Sequence, residues 1–199
     1  MNRNVSLLIA SLAVVALATD PVFAHHVMDG RMPATFADGL LSGLGHPIIG
    51  IDHFTAVVAV GCIAAAHRAG WALALGYVAA MMAGVAAHLQ GISVPAAEVL
   101  VALTVIGLGL LMLRKQAMSA TVALASFVLV GLLHGYALGE SIFGAERTPL
   151  YAYLVGLAVI QSVIALAAMT VTWTLTRKSA EPVSLRLLGF DFAQGFLFS

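Results

Sequence analysis

The side chains with the most chemistry to offer in this 199-residue sequence are its seven histidines. His46 and His53 lie seven residues apart, about two helical turns, so on a continuous helix they share one face. Pro47, directly after His46, fits the first turn of such a helix. Asp52 precedes His53 and would point about 100° away from it, placed to ligate an ion or to accept a hydrogen bond from an imidazole. His134 comes later in the chain, shortly before Glu140. Imidazole suits nickel, cobalt, copper and zinc, whereas carboxylates alone would favour calcium or magnesium. The mixture therefore points to a divalent transition metal. His25 and His26 offer a second kind of site. If the chain is cut after Ala24, the new amine, the second-residue amide and the His26 imidazole can bind nickel(II) or copper(II) in one plane. The competing reading is a flexible histidine-rich tip that holds metal weakly.

The elements that must position these groups follow from composition. Hydrophobic residues make up 61% of the chain and charged residues 9%, with a mean hydropathy of +1.03. Soluble domains carry about 25% charged residues. A soluble enzyme, a nucleic-acid binder and a disordered protein are thereby excluded. Nine basic and nine acidic residues balance to a net charge of zero, so there is no basic face to neutralise phosphates. The single cysteine, Cys62, excludes a disulfide framework or a cysteine-rich metal cluster and reads as a small apolar filler. The fold class expected is all-α, a polytopic transmembrane helical bundle.

Residues 1–24 read as a cleaved signal peptide. Arg3 is followed by an apolar run from Val5 to Ala18, about 14 residues against the roughly 20 needed to span, and Val22 and Ala24 supply the small residues of a cleavage site. Residues 25–199 then form a single transmembrane domain. Five apolar stretches are expected to cross the bilayer: Pro47–Ala66, Trp71–Ala87, Pro95–Leu113, Met118–Leu138 and Pro149–Thr174. Thr35–Gly45 is too short to cross and reads as an interfacial or re-entrant helix. Ser184–Ser199, with Arg186 and Asp191, is a short sixth candidate.

Basic residues set the orientation through the positive-inside rule. An outward mature N-terminus puts Arg68, Arg114, Lys115, Arg177, Lys178 and Arg186 in the cytoplasm and leaves only Arg31 and Arg147 outside. Six of the seven histidines then share the outer layer: His25, His26, His46, His53, His88 and His134. Asp29, Asp38, Asp52, Glu98, Glu140 and Glu146 lie in or near it. Ionisable groups inside spans are costly and default to a functional reading. His67, on the inner side beside Arg68, reads as an ordinary interfacial side chain. The metal set is accordingly His25, His26, His46, Asp52, His53 and His134, with His88, Glu98 and Glu140 as secondary or charge-compensating groups.

Two segments resemble a known family. His46-Pro47-Ile48-Ile49-Gly50-Ile51-Asp52-His53 resembles the H-x5-D-H motif of the HupE/UreJ family of nickel/cobalt permeases. His134-Gly135-Tyr136-Ala137-Leu138-Gly139-Glu140 is similar to the family's second signature, except that the signature glutamate falls at the position of Ser141. Pro95 and Glu98 at the start of the third stretch are also similar. Separately, the segment from His25 to Pro33 resembles the N-terminus of CbiM-type nickel/cobalt transport components, in which the second-residue histidine is a metal ligand. His26 takes that role if Ala24 is the cleavage point.

The resemblance implies a secondary transporter that takes up Ni2+ or Co2+ through the bacterial inner membrane, with a multi-pass topology and an outward N-terminus. It implies no enzyme activity and no prosthetic group. The chain has no Walker-type glycine loop and no H-E-x-x-H motif. The partners expected are the divalent metal and the lipid bilayer, with no nucleic acid and with homo-oligomerisation left open. A membrane-bound metal chaperone or sensor for hydrogenase or urease maturation would use the same outer site. The inner halves of the spans offer few ligands beyond Cys62, Thr55, Ser126 and Gln161, which leans towards that alternative. A b-haem protein with His53, His88 or His134 as axial ligands is disfavoured by Asp52 beside His53.

Overall fold

The computed structural model describes residues 32–114 and 116–180. The expected signal peptide, His25, His26 and the sixth span candidate at 184–199 lie outside the described residues.

The first described helix starts well before the histidines. The Thr35 hydroxyl accepts from the Asp38 backbone N–H at 3.1 Å, and Asp38 Oδ2 accepts from the Thr35 N–H at 3.0 Å. This reciprocal cap satisfies donors that a helix start leaves bare, and it places a carboxylate at the positive end of the helix dipole. The result is α1, Phe36–Ile49, followed by α2, Ile51–Ala64. The two meet at Gly50 with a bend of 76°.

This break corrects the expectation of one continuous span from Pro47 to Ala66. His46 and Pro47 belong to the last turn of α1, whereas Asp52 and His53 open α2. Pro47 has no N–H to donate to the preceding turn, which weakens the helix where it must end. Gly50, extended at φ −72° and ψ 100°, then lets one ladder close and another begin. Its N–H donates to the His46 carbonyl, and its own carbonyl accepts from Phe54, each at 2.9 Å.

The remaining helices are α3 (Gly70–Leu89), α4 (Ala97–Met112), α5 (Ala120–Glu140) and α6 (Arg147–Ala180). Among the described residues, α3, α5 and α6 are long and apolar enough to cross a membrane, and α1 with α2 makes a fourth if the bent pair is one span. The chain is thus a multi-pass membrane protein, with three or four helices of spanning length among the described residues against the five spans expected. The Pro95–Leu113 stretch forms only α4, whose 16 residues measure about 24 Å against a hydrocarbon core of about 30 Å. Ala96, at φ 54°, breaks the backbone just after Pro95 and sets that late start.

Small residues let the helices touch backbone to backbone. Gly39 and Gly43 of α1 lie against Pro149 and Tyr153 of α6, and Gly61 of α2 lies against Ala165 further along the same helix. Gly131 and Gly135 of α5 abut Tyr77 and Met81 of α3, while Gly84 of α3 abuts Leu132. So α1 and α2 run in sequence along α6, α3 runs beside α5, and α4 packs against both α2 and α5. Val57, Val60, Tyr77, Met81, Phe127, Tyr153 and Leu157 fill the interior between them. Leu103, Leu110, Leu129, Val155 and Val163 point outward, as a surface facing lipid requires.

The connections sort to two ends. At one, the His67 ring bridges 64–70 to 113–119, its nitrogens 3.2 Å from the Ile63 carbonyl and 3.1 Å from that of Met118. At the other, the Val94 N–H donates to the Tyr136 hydroxyl at 3.0 Å, tying 90–96 to the last turns of α5.

Candidate metal centre

The break at Gly50 brings two helix ends together inside the bundle. His46, at the end of α1, is 2% exposed, and His53, in the first turn of α2, is wholly buried. Their ring centroids are 6.3 Å apart with planes at 61°. His134 enters from α5, also wholly buried, with its ring 5.0 Å from that of His53. It sits six residues, about 9 Å, inward from Glu140 at the end of α5. Three imidazoles from three helices therefore share a dry region, where only hydrogen bonding or ligation can offset their desolvation.

The hydrogen bonds admit a self-consistent set of proton positions on the neutral rings. Thr104 of α4 donates its hydroxyl proton to the Val101 carbonyl at 2.6 Å. With its proton so placed, that oxygen accepts from His134, whose Nε2 lies 2.9 Å away. With its proton on Nε2, His134 accepts at Nδ1 from Nδ1–H of His53, also at 2.9 Å. His53 is left with its lone pair on Nε2, the form a metal ligand needs. That nitrogen faces Asp52 Oδ2 at 3.9 Å.

Asp52 is the one carboxylate of the group. Its Oδ1 accepts the His53 backbone N–H at 2.8 Å, and its place in the first turn of α2 sets its charge at the positive end of that helix. The Asp52 side chain keeps 27% of its surface exposed while that of His53 keeps 1%. The carboxylate thus forms the accessible rim of an otherwise closed cluster. Gly50 allows the approach: a Cβ there would stand 2.9 Å from His53 Cδ2 and 3.3 Å from Asp52 Oδ1.

Of the residues singled out in the sequence, the structure brings together His46, Asp52, His53 and His134. His88 lies elsewhere, half-buried and edge-on to Tyr136 and Phe143 at 4.6 and 5.5 Å. Glu98 and Glu140 are exposed at the start of α4 and the end of α5. Among the described residues, no three His, Cys, Asp or Glu side chains already stand in joint ligating position. Thr104 is the participant that sequence reasoning passed over. Its signal was faint: it is the one hydroxyl in the apolar run of α4.

Comparisons with known proteins bear on the family of the chain. A family model described as HupE / UreJ protein matches residues 12–196. Protein HupE of Rhizobium leguminosarum bv. viciae is 37% identical over 132 residues, which cover 65% of this chain and 64% of that protein. The chain thus spans somewhat less than two thirds of that curated relative. No solved structure matches.

Proposed function

This chain belongs to the HupE/UreJ family, and from that premise we propose that it is a secondary permease carrying Ni2+ or Co2+ inward across the bacterial inner membrane. The observation that carries the reading is the buried His46–His53–His134 cluster at a broken helix, with Asp52 at its rim. Discontinuous helices are where membrane transporters commonly build ion sites, because the break exposes backbone dipoles and carbonyls within the protein. In this reading the end bearing Arg68, Arg114 and Arg177 faces the cytoplasm. Glu98 and Glu140 at the opposite end draw cations towards the site. After signal cleavage, His25 and His26 form the first capture point. The ion then sheds water onto Asp52, His46 and Nε2 of His53. His134, held by Thr104, fixes the His53 tautomer from behind.

Imidazoles with one carboxylate favour late first-row divalent ions over calcium or magnesium. Uptake of radioactive nickel into proteoliposomes containing only this protein tests the proposal. Time-dependent accumulation that disappears with His53→Ala is the expected result. Stoichiometric binding without accumulation would instead make the protein a membrane-bound metal carrier.

A further inference from the structure

Two buried polar side chains take no part in the cluster. Gln161 in α6 is wholly buried, and neither its Oε1 nor its Nε2 has a partner among the described residues; the hydroxyl of wholly buried Tyr77 in α3 is in the same condition. Leaving such groups unpaired is expensive enough that native interiors almost always satisfy them, with protein, water or ligand.

Their placement is specific. Leu157 packs on Gly43 of α1 and Ala165 packs on Gly61 of α2. Gln161 lies midway between these two on the same face of α6, since residues four apart stack on a helix. That face looks onto the α1–α2 bend at Gly50. Tyr77 abuts Gly131, three residues or about 4.5 Å beyond His134 towards the 113–119 connection. Measured from the Gly61 contact with Ala165 and Ala168, His53 stands about 12 Å along α2 and Gln161 about 6–10 Å along α6. Both orphan groups thus lie within about one turn of the histidine pair, on its far side from Glu140. They share a level. Gly70 meets Met169 where α3 passes α6, and from there Tyr77 is seven residues along and Gln161 eight.

We propose that the Gln161 amide and the Tyr77 hydroxyl form a second, uncharged cation station just inward of the histidine site, for a divalent metal that keeps part of its water shell. The proposal rests on the permease reading and supplies the inward step that the apolar inner halves of the spans otherwise lack. Neutral oxygens hold such an ion more weakly than imidazole does, and a conduction path needs sites that release as readily as they bind. The amide Oε1 can ligate the ion or accept from its bound water, and Tyr77 Oη can do either.

The test pairs equilibrium Ni2+ binding with initial uptake rates in proteoliposomes, both per amount of monodisperse protein. Gln161→Leu and Tyr77→Phe are each expected to bind Ni2+ at the histidine site within twofold of the parent while uptake falls at least tenfold. Should Gln161→Leu misfold, Tyr77→Phe decides, because it removes one oxygen and keeps the ring. Parental uptake rates in Tyr77→Phe would overturn the station and assign these groups to structural water. So would uptake that falls only in step with binding, which would make them supports of the histidine site. A parent protein that binds but never transports refutes the permease reading itself and removes the station with it.

Discussion

Replacing Thr104 with valine tests the chain of protons behind the metal site. Valine keeps the shape of threonine, so no cavity opens, but Nε2–H of His134 loses the oxygen that accepts it at 2.9 Å. An unpaired polar group in so buried a place costs about 1–3 kcal/mol. His134 can lessen that cost by moving its proton to Nδ1, where it would donate to Nδ1 of His53 and leave only a bare acceptor at Nε2. The His53 proton must then sit on Nε2, the nitrogen that faces Asp52 and the incoming ion. Metal binding would have to expel it. Partners in this position generally change metal affinity by about 10–100-fold, equivalent to about 1.4–2.7 kcal/mol and in line with the hydrogen-bond figure. Isothermal titration of the detergent-extracted protein with Ni2+ measures it directly. Thr104→Val should weaken binding by one to two orders of magnitude, and Thr104→Ser, which keeps the hydroxyl, should bind nearly as the parent does. Thr104→Val with parental affinity would refute the proton assignment and leave His134 without its orienting role.

Other outcomes follow from the same geometry. Gly50→Ala should abolish uptake in a protein that still folds, since its Cβ would press on His53 Cδ2; Gly107→Ala, which meets nothing within 4 Å, should transport normally and gain about 0.5–1 kcal/mol in helix stability. His67→Ala removes the clasp between Ile63 and Met118, so thermal unfolding should show a loss of about 1 kcal/mol while nickel uptake persists. For the N-terminal capture point, intact mass should begin at His25, and His26→Ala should lose one bound nickel on titration. An uncleaved chain removes that site.

Much of this protein is legible in its sequence because the relevant forces act locally. Membrane residence follows from too few charges to cover a soluble surface, and the orientation expected from loop arginines needs no contact between helices. The likeness of His46, Asp52, His53 and His134 to a family signature also lies in residue order. Helical periodicity, however, misled at one point. His46 and His53 match a two-turn spacing, yet the cap at Thr35 and Asp38 starts the helix early and the chain breaks at Gly50. The two rings meet across a bend and not along a face. The third stretch shows a similar limit, since hydropathy counts apolar residues through Pro95 and Ala96 and cannot see the positive φ that delays α4.

What only the tertiary structure decided is which distant groups touch. His53 meets His134 across 81 positions of sequence, and His134 meets Thr104 across 30. Glycine contacts between α3 and α5 and along α6 set the depth of each helix, and so the level of Tyr77 and Gln161. No local propensity encodes such meetings. A proton position on an imidazole depends on the one acceptor that packing delivers to its far side, and that acceptor is chosen by the fold.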